Sequence, residues 1–426
     1  MQNDCFPDAI VEWSKEPVSK LAQVNPPYRV KKGQEYPFVE MSSVGENFAG
    51  ILKFDRRQLE GSGLSRFKVK DTLFAKITPC PENGKVAFVA NLPDEVGLGS
   101  TEFIILSPRP GTDPRFLFHL ACSHAVRGRA AARMEGSTGR QRVPEEVFTE
   151  RLLVPVPDPC EQSAIARILD TVDTALVRTR AAVERARELR KTLIRELLVR
   201  GLRKQKQRKT AAGFIPVTWT CEPLGLQLGE GPTNGVYRPE TDYAVHGTRI
   251  VRIDDFQDGT INDMSRLRRV VVEPVVRSRF ALAQDDILLN RVNSLSHIGK
   301  AALVPSLEEP TIYESNMMRL RCGSRLRPDF LIIVLCSEIA RRHWHARAKP
   351  AVNQASINQR DVCELAVPMP EEGEQREIAS IVLAAEKQVE LLTRVEAAQG
   401  QLKRSLMDDL FTGRIRVLIE VTATAS

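Results

Sequence analysis

PVPDPCEQSAIARILDTVDTALVRTRAAVERARELRKTLIRELLVRG, residues 155–201, decides how the rest of the chain is read. It returns near the end as PMPEEGEQREIASIVLAAEKQVELLTRVEAAQGQLKRSLMDDLFTG, residues 368–413. The Glu161-Gln162 pair comes back as Glu374-Gln375, and 375 − 162 = 213 is half of the 426-residue chain. One unit is therefore written twice. The first copy has neither Pro nor Gly between Cys160 and Val199, after prolines that bar a helix up to Pro159. Ile165, Leu169, Val172, Leu176, Val183, Ala186, Leu193 and Leu197 fall on a 4-3 spacing interrupted by Thr179 and Arg190. That spacing predicts a long helix with an apolar seam that needs a partner helix. In the second copy Ile378, Val382, Ala385, Val389 and Leu392 repeat the seam. The apolar positions then move to Val395, Ala398, Leu402, Leu406 and Leu410, which reads as a local stutter.

Each long helix follows a stretch with short apolar runs and Gly/Pro punctuation. In the first these are Tyr36 to Val39, Phe67 to Val69, Thr72 to Ile77, Lys85 to Ala90 and Phe103 to Leu106, which predict short strands. Pro114 to Met134 predicts a helix or helix pair, and Phe330 to Ala348 answers it in the second half. The halves also match metrically. Asp71-Thr72-Leu73 precedes Gly84-Lys85 by 84 − 71 = 13 residues, and Asp286-Ile287-Leu288 precedes Gly299-Lys300 by 299 − 286 = 13. The enclosed loops, KITPCPEN and NRVNSLSH, are unlike. A kept frame around a changed loop points to shared scaffold and divergent recognition.

The predicted fold class is α+β: two globular domains separated by two long helices that form an antiparallel coiled coil, with an internal pseudo-two-fold repeat. The segments are 1–155, 156–205 (central helix), 206–367, 368–413 (distal helix) and a tail, 414–426. The two globular units are expected at opposite ends of the helical rod, the geometry of a dimeric DNA reader made in one chain.

A net charge of +7 favours an anionic partner without proving one. The longest apolar run, Phe330 to Cys336, is too short to cross a membrane, and no basic-then-apolar start marks a secretory signal. Eight cysteines with no metal-ligand spacing fit a reducing cytoplasm. His343-x-His345 lacks completing ligands, and no Ser/His/Asp or paired-carboxylate arrangement stands out, so neither metal nor catalytic residues are expected. Asn25-Pro26-Pro27-Tyr28 is the tetrapeptide with which amino-methyltransferases hold a flipped adenine. Without a glycine-rich turn between strand and helix to bind S-adenosylmethionine, it reads as a proline turn, and a stand-alone methyltransferase is the alternative from another class.

The repeated VPVPDPCEQSAIARILD and VPMPEEGEQREIASIVL, the Asp-Thr-Leu/Asp-Ile-Leu to Gly-Lys frames and the Phe411-Thr412-Gly413 ending resemble the specificity subunit of type I restriction-modification systems over essentially the whole chain. The resemblance implies that each globular unit is a target recognition domain reading half of a bipartite double-stranded DNA target. It implies that the paired helices act as spacer and dock two methyltransferase (modification) subunits, with nuclease-translocase subunits joining for cleavage. S-adenosylmethionine, ATP and Mg would then belong to the partners, with no cofactor in this chain, no membrane association and a cytoplasmic location. A specificity subunit of another restriction type, with a fused methylase-nuclease partner, stays open.

DNA-contact candidates come in pairs of loops. Lys76, Thr78, Asn83 and Lys85 answer Asn290, Arg291, Asn293, Ser294, His297 and Lys300. Thr138, Arg140, Gln141 and Arg142 answer Asn353 and Gln354, and Tyr237-Arg238 answers Tyr28-Arg29. Arg with Asn or Gln supplies base-edge readout, and Lys suits phosphates. The bland reading makes Gly84-Lys85 and Gly299-Lys300 hairpin turns of the scaffold. The helix seam is expected at Ile165, Leu169, Val172, Leu176, Val183, Leu193 and Leu197 against Ile378, Val382, Val389, Leu392, Leu406 and Leu410.

Overall fold

A computed structural model describes residues 13–417 except 138, 258, 262, 352 and 353. The chain divides into two compact units, residues 1–181 with 393–426, and 182–392. Each unit therefore holds one globular domain and half of each long helix, where the sequence reading set the helices apart as segments of their own. The helices named below are α1 (Pro114–Cys122), α2 (His124–Ala131), α3 (Pro159–Arg200), α4 (Pro328–Leu335), α5 (Glu338–Arg347) and α6 (Glu372–Thr412). None of the described helices is long and apolar enough to cross a membrane.

In the first unit, strands Ala22–Val24, Phe103–Pro108, Thr72–Ala75 and Val86–Phe88 lie side by side in that order, all antiparallel. A second sheet orders Asp55–Gln58, Glu35–Val39, Gly97–Gly99 and Ser65–Phe67. The helix predicted over 114–134 is a pair, because Ser123 stops α1 and its Oγ caps α2 by accepting from Val126 N–H. Asp113 caps α1 in the same way, accepting from Arg115 and Phe116 N–H. The second unit repeats the plan with Leu228–Asn234, Met317–Cys322, Ile287–Asn290 and Ala301–Leu303, extended by Gly259–Ile261 and Phe256–Gln257, under α4 and α5. In both units an antiparallel strand pair, Ser14–Pro17 with Leu153–Val156 and Thr220–Pro223 with Ala366–Met369, leads into the long helix.

The repeated Glu-Gln pair explains why both long helices start where they do. Gln162 donates to Pro157 C=O and accepts from Asp113 N–H; Gln375 donates to Pro370 and Arg325 C=O and accepts from Arg327 N–H. Both glutamines are buried, so these bonds replace water that the amide has lost. Glu161 takes a two-pronged ion pair from Arg416, whose guanidinium stacks over Trp13. Glu374 accepts from Leu202 N–H and from the Trp219 indole N–H. Each glutamate thus ties down the chain just beyond the end of the other long helix together with a tryptophan. Both helices stop at a glycine in the left-handed region, Gly201 (φ +63°) and Gly413 (φ +69°), where a side chain would be strained.

Within each unit the helix halves run antiparallel. In the first, Asp173 pairs with Lys403 (2.5 Å) and Arg180 with Glu396 (2.9 Å), so a step forward on α3 is a step back on α6. In the second, Arg190 pairs with Glu386, and Leu202 with Glu374, in the same offset. The expected seam residues face inward. Ile165, Leu169, Leu176, Val183, Leu197, Ile378, Val382 and Leu410 are buried, and Val172, Leu193, Val389, Leu392 and Leu406 half-buried.

The stutter is a correction. Val395 and Leu402 are exposed, and the seam continues unbroken through Glu396, Gln399, Lys403, Leu406 and Leu410 on the same 4-3 spacing. Polar residues occupy three consecutive seam positions, and Lys403 is only 7% exposed. Asp173 holds that ammonium beneath the Phe48 ring. Removing Asp173 leaves a buried cation unpaired, whereas removing Lys403 leaves an acid that reaches water. Asp173→Ala is expected to destabilise by about 2 kcal/mol. Lys403→Met should cost less or stabilise, and thermal melting of the two variants against the parent checks the order.

The two copies differ at one buried acid. Asp286 and Asp71 each accept a backbone N–H, from Ala283 and Lys68, but Asp286 is also ion-paired to Arg321 (2.7 Å) where Asp71, its counterpart, accepts from Tyr28 O–H. Burial raises the Asp71 carboxyl to about 6, against the lesser pull of those hydrogen bonds. The folded state therefore pays for the charge above pH 6, and the cost fades as pH falls toward the ordinary value of 3.8, since the unfolded chain holds its proton less tightly. Asp71→Asn should melt higher than the parent at pH 7, by about 3 kcal/mol at most, with the gap closing by pH 4.

Candidate nucleic-acid interface

In each domain the structure brings together two loops that stand apart in sequence. In the first, residues 76–85 form a knot of turns between Thr72–Ala75 and Val86–Phe88. Residues 135–142 close on themselves through paired Glu135 and Arg142 backbone bonds. They dock on the first loop through Thr78 N–H to Gln141 C=O (3.0 Å) and Val143 N–H to Lys76 C=O (2.9 Å). In the second domain Val292–Asn293 pairs with Gln354–Ser356, which pairs with Lys349–Ala351, so one three-stranded ribbon carries both loops.

Side chains in these loops divide into those that hold the scaffold and those that face outward. Arg142 forks onto Glu102 at 2.7 to 3.1 Å and donates to Arg140 C=O, and this bond holds the Glu102 carboxyl below its usual range. Arg142 therefore positions Arg140, which is exposed at the tip, with Gln141 half-buried beside it. Thr78 donates to Glu82 and Asn83 to Glu46, both at the exposed end of the knot. Asn293 accepts from Ser294 N–H, and Ser294 Oγ, Ser296 Oγ and His297 Nδ1 lie within 2.9 to 3.0 Å of one another on the exposed tip. Ser296 belongs to this cluster although the sequence reading left it out; its signal was its place in the same polar loop. Arg291 donates to Ser315 C=O and is half-buried, while Gln354 and, at 74%, Tyr237 are exposed. Thr138 and Asn353 lie outside the described residues.

Four candidates are held by or buried in the fold. Lys85 Nζ donates to Met41 C=O and Lys300 Nζ to Ile253 C=O, both at 3.2 Å, and Lys300 also stands over the Phe256 ring. The lysine after each Gly thus ties its hairpin to a neighbouring segment, as the bland reading had it. Asn290 is fully buried at the end of its strand and presents nothing to the surface. Arg238 is held by Asp242 and Glu273.

Lys76 lines an open cleft of about 290 Å³ with Arg66, Thr101 and Asn25-Pro26-Pro27. Asn25 sits there in a left-handed turn (φ +47°). Its backbone N–H donates to Ile105 C=O, its Oδ1 accepts from Ile105 N–H and its Nδ2 donates to Glu145. Tyr28 O–H is bound to Asp71 and Ser107. The tetrapeptide is a structural turn whose amide and phenol are already engaged. His343 of the His-x-His pair donates from Nε2 to Asp361 C=O, and among the described residues no group of three or more His, Cys, Asp or Glu could hold a metal ion. Removing the Glu102 carboxylate should loosen the 135–142 loop. Trypsin is expected to cut Glu102→Ala after Arg140 or Arg142 several-fold faster than the parent, and equal rates would show that the ion pair does not order the loop.

No family model matches the chain. Curated relatives do. The MjaX type I restriction enzyme specificity subunit of Methanocaldococcus jannaschii is 28% identical over 218 residues, 51% of each chain. The EcoAI subunit of Escherichia coli is 30% identical over 158 residues, 36% of this chain and 26% of its own. The MjaVIII subunit of M. jannaschii is 24% identical over 286 residues, 66% of each. The alignments thus span between a quarter and two thirds of these relatives' lengths. Among solved structures, a chain from a study of type I restriction-modification assembly superposes with a TM-score of 0.57 at 18% identity, covering 96% of this chain and all of that one. The type I S subunit from M. genitalium gives 0.55 at 17%, covering 96% and 99%. In sequence and in fold, the chain is related to the specificity subunits of type I restriction-modification systems.

Proposed function

We propose that this chain is the non-catalytic DNA-specificity subunit of a type I restriction-modification complex, reading a bipartite target with one domain per half. The observation that carries the reading is the twice-built frame. Both domains present two adjoining loops at the same place on the same scaffold, yet one pair displays Arg140 and Gln141 and the other Ser294, Ser296, His297 and Gln354. Equivalent positions with different hydrogen-bonding groups are what two different half-sites require. Lys76, half-buried at the base of the first pair, suits a backbone phosphate, and Arg291, half-buried at the base of the second, suits a base edge. The paired helices dock two modification subunits, which bring S-adenosylmethionine and the methylating site, and nuclease-translocase subunits bring ATP-driven cleavage. The assembly works in the cytoplasm.

Co-expression with a modification subunit followed by genome-wide mapping of methylated adenines tests the reading. A split motif with a fixed spacer is expected, and no new methylation would overturn it. Arg140→Ala should relax one half of that motif while the other half stays intact, and Gln354→Ala should do the reverse. Loss of both halves together would assign these side chains to phosphates.

A further inference from the structure

The run RKQKQRK, residues 203–209, carries five cations and no acid just after α3. It is folded rather than slack. Gln207–Thr210 pairs with Gly213–Pro216 as a hairpin, Arg208 donates to Trp219 C=O (2.6 Å), Val217 N–H donates to Lys206 C=O (2.9 Å) and Ile215 is fully buried. Lys204, Lys206 and Lys209 nevertheless stay exposed. Lys209 stands opposite Phe214, which is itself 56% exposed. A linker that needed only solvation would not be tied down at both ends with a phenylalanine left in water.

The tip of this hairpin leads to the recognition ribbon by way of α5. A Cβ on Gly213 would lie 3.1 Å from Arg342 Nη2, so the tip and the exposed side of α5 are in contact. One turn further on, His345 is exposed, and Lys349, also exposed, opens the strand that pairs with Gln354–Ser356. Buried Trp344 packs the same helix against Gly299, at the end of the 290–300 loop. The carboxylates that meet α5 are already engaged, Glu338 by Arg341 and Glu364 by Arg347 and Arg360. Glu374, beside Gly201 at the foot of the hairpin, is held by Leu202 and Trp219 N–H. Among the described residues, Lys204, Lys206, Lys209, His345 and Lys349 meet no carboxylate. Lys206 to Lys209 and Arg342 to Lys349 each run roughly 10 Å, about three base pairs of duplex apiece. We propose that the hairpin and the outer side of α5 form a sequence-independent track for the phosphate backbone of duplex DNA, beyond the half-site that the second domain reads. This rests on the reading of the ribbon as a DNA reader. The track supplies affinity and salt dependence, and the loop tips supply sequence.

Salt titrations of the complex with modification subunits, bound to two duplexes that carry its mapped target, test the track. One duplex extends about a helical turn past the half-site that Gln354→Ala relaxes, and the other stops at its edge. Lys204→Gln with Lys206→Gln and Lys209→Gln should bind the long duplex on the order of tenfold more weakly at about 0.15 M salt, and lower the slope of log K against log salt by about 2 to 3. The same triple variant should bind the short duplex as the parent does and methylate the same motif. Arg342→Gln, on a different element, should lower the slope on the long duplex by about 1, so the result does not hang on the hairpin's own folding. Equal slopes for parent and triple variant on the long duplex would overturn the track. An equal loss on both duplexes, or a changed motif, would overturn it by placing the lysines inside the half-site. Loss of modification subunits from the triple variant in native mass spectrometry would overturn it in favour of an acidic protein surface. A parent complex that marks no split motif, yet binds duplex with a salt slope that the triple variant lowers, would remove the functional reading and leave the track standing.

Discussion

A cation in an apolar seam is the constraint on which the rest of this molecule hangs. Arg190 and Lys403 occupy equivalent positions in the two copies, and each meets an acid of the other helix, Glu386 and Asp173, which are themselves equivalent. Sliding one helix by a heptad would bring Ala379 or Thr393 to Arg190 and Ala166 or Arg180 to Lys403, so neither cation would keep its acid. Taking a charge out of water costs several kcal/mol per ion, so such a register is closed to the chain. An all-leucine seam would bind harder and specify less. The ion pairs give up some stability for a single antiparallel register, and that register delivers each helix end to the glutamate that fixes it.

Those glutamates and their neighbouring glutamines carry the constraint outward. Because Gln162 holds the backbone at the start of α1 and Gln375 does so at α4, the first turn of each long helix is joined to the domain that precedes it. Because Glu161 and Glu374 hold residues beyond the far helix end, the same turn is joined to the segment just past the other helix. One dipeptide, used twice, makes helix and domain a single packed body within each unit, with Ile165, Leu169, Met407 and Phe411 in one core and Leu198, Trp219, Ile378 and Val382 in the other.

Much of this was legible because the chain states it twice. The 213-residue offset and the Asp-to-Gly-Lys frames locate strands, helix pair and long helices without any single strong motif. The illegible parts share a cause. Apolar periodicity finds stripes but does not say which stripe has a neighbour, so Val395 and Leu402 drew the reading away from Glu396, Gln399 and Lys403, whose burial depends on Asp173 arriving from the other helix. Lys85 and Lys300 likewise look like phosphate contacts in sequence, because the carbonyls they serve, Met41 and Ile253, lie some 45 residues away. Asn290 reads as a loop residue and is the last residue of a buried strand.

The duplication also shows what each part of the design tolerates. Most inner-seam positions keep the chemical kind across the copies, as in Ile165 with Ile378, Leu169 with Val382, Arg190 with Lys403 and Leu193 with Leu406, while Val183 with Glu396 and Ala186 with Gln399 are exceptions. Loop positions do not, since GSTGRQR and the segment around Gln354 share neither length nor charge. Packing punishes change at every atom of a filled interior, while a loop tip held only through its backbone leaves its side chains free to vary. Thr78 N–H to Gln141 C=O and the Val292–Asn293 pairing with Gln354–Ser356 are bonds of that permissive kind, because any residue but proline can make them. Main-chain docking of two loops against each other is therefore what lets one scaffold keep its shape while the groups it displays are exchanged.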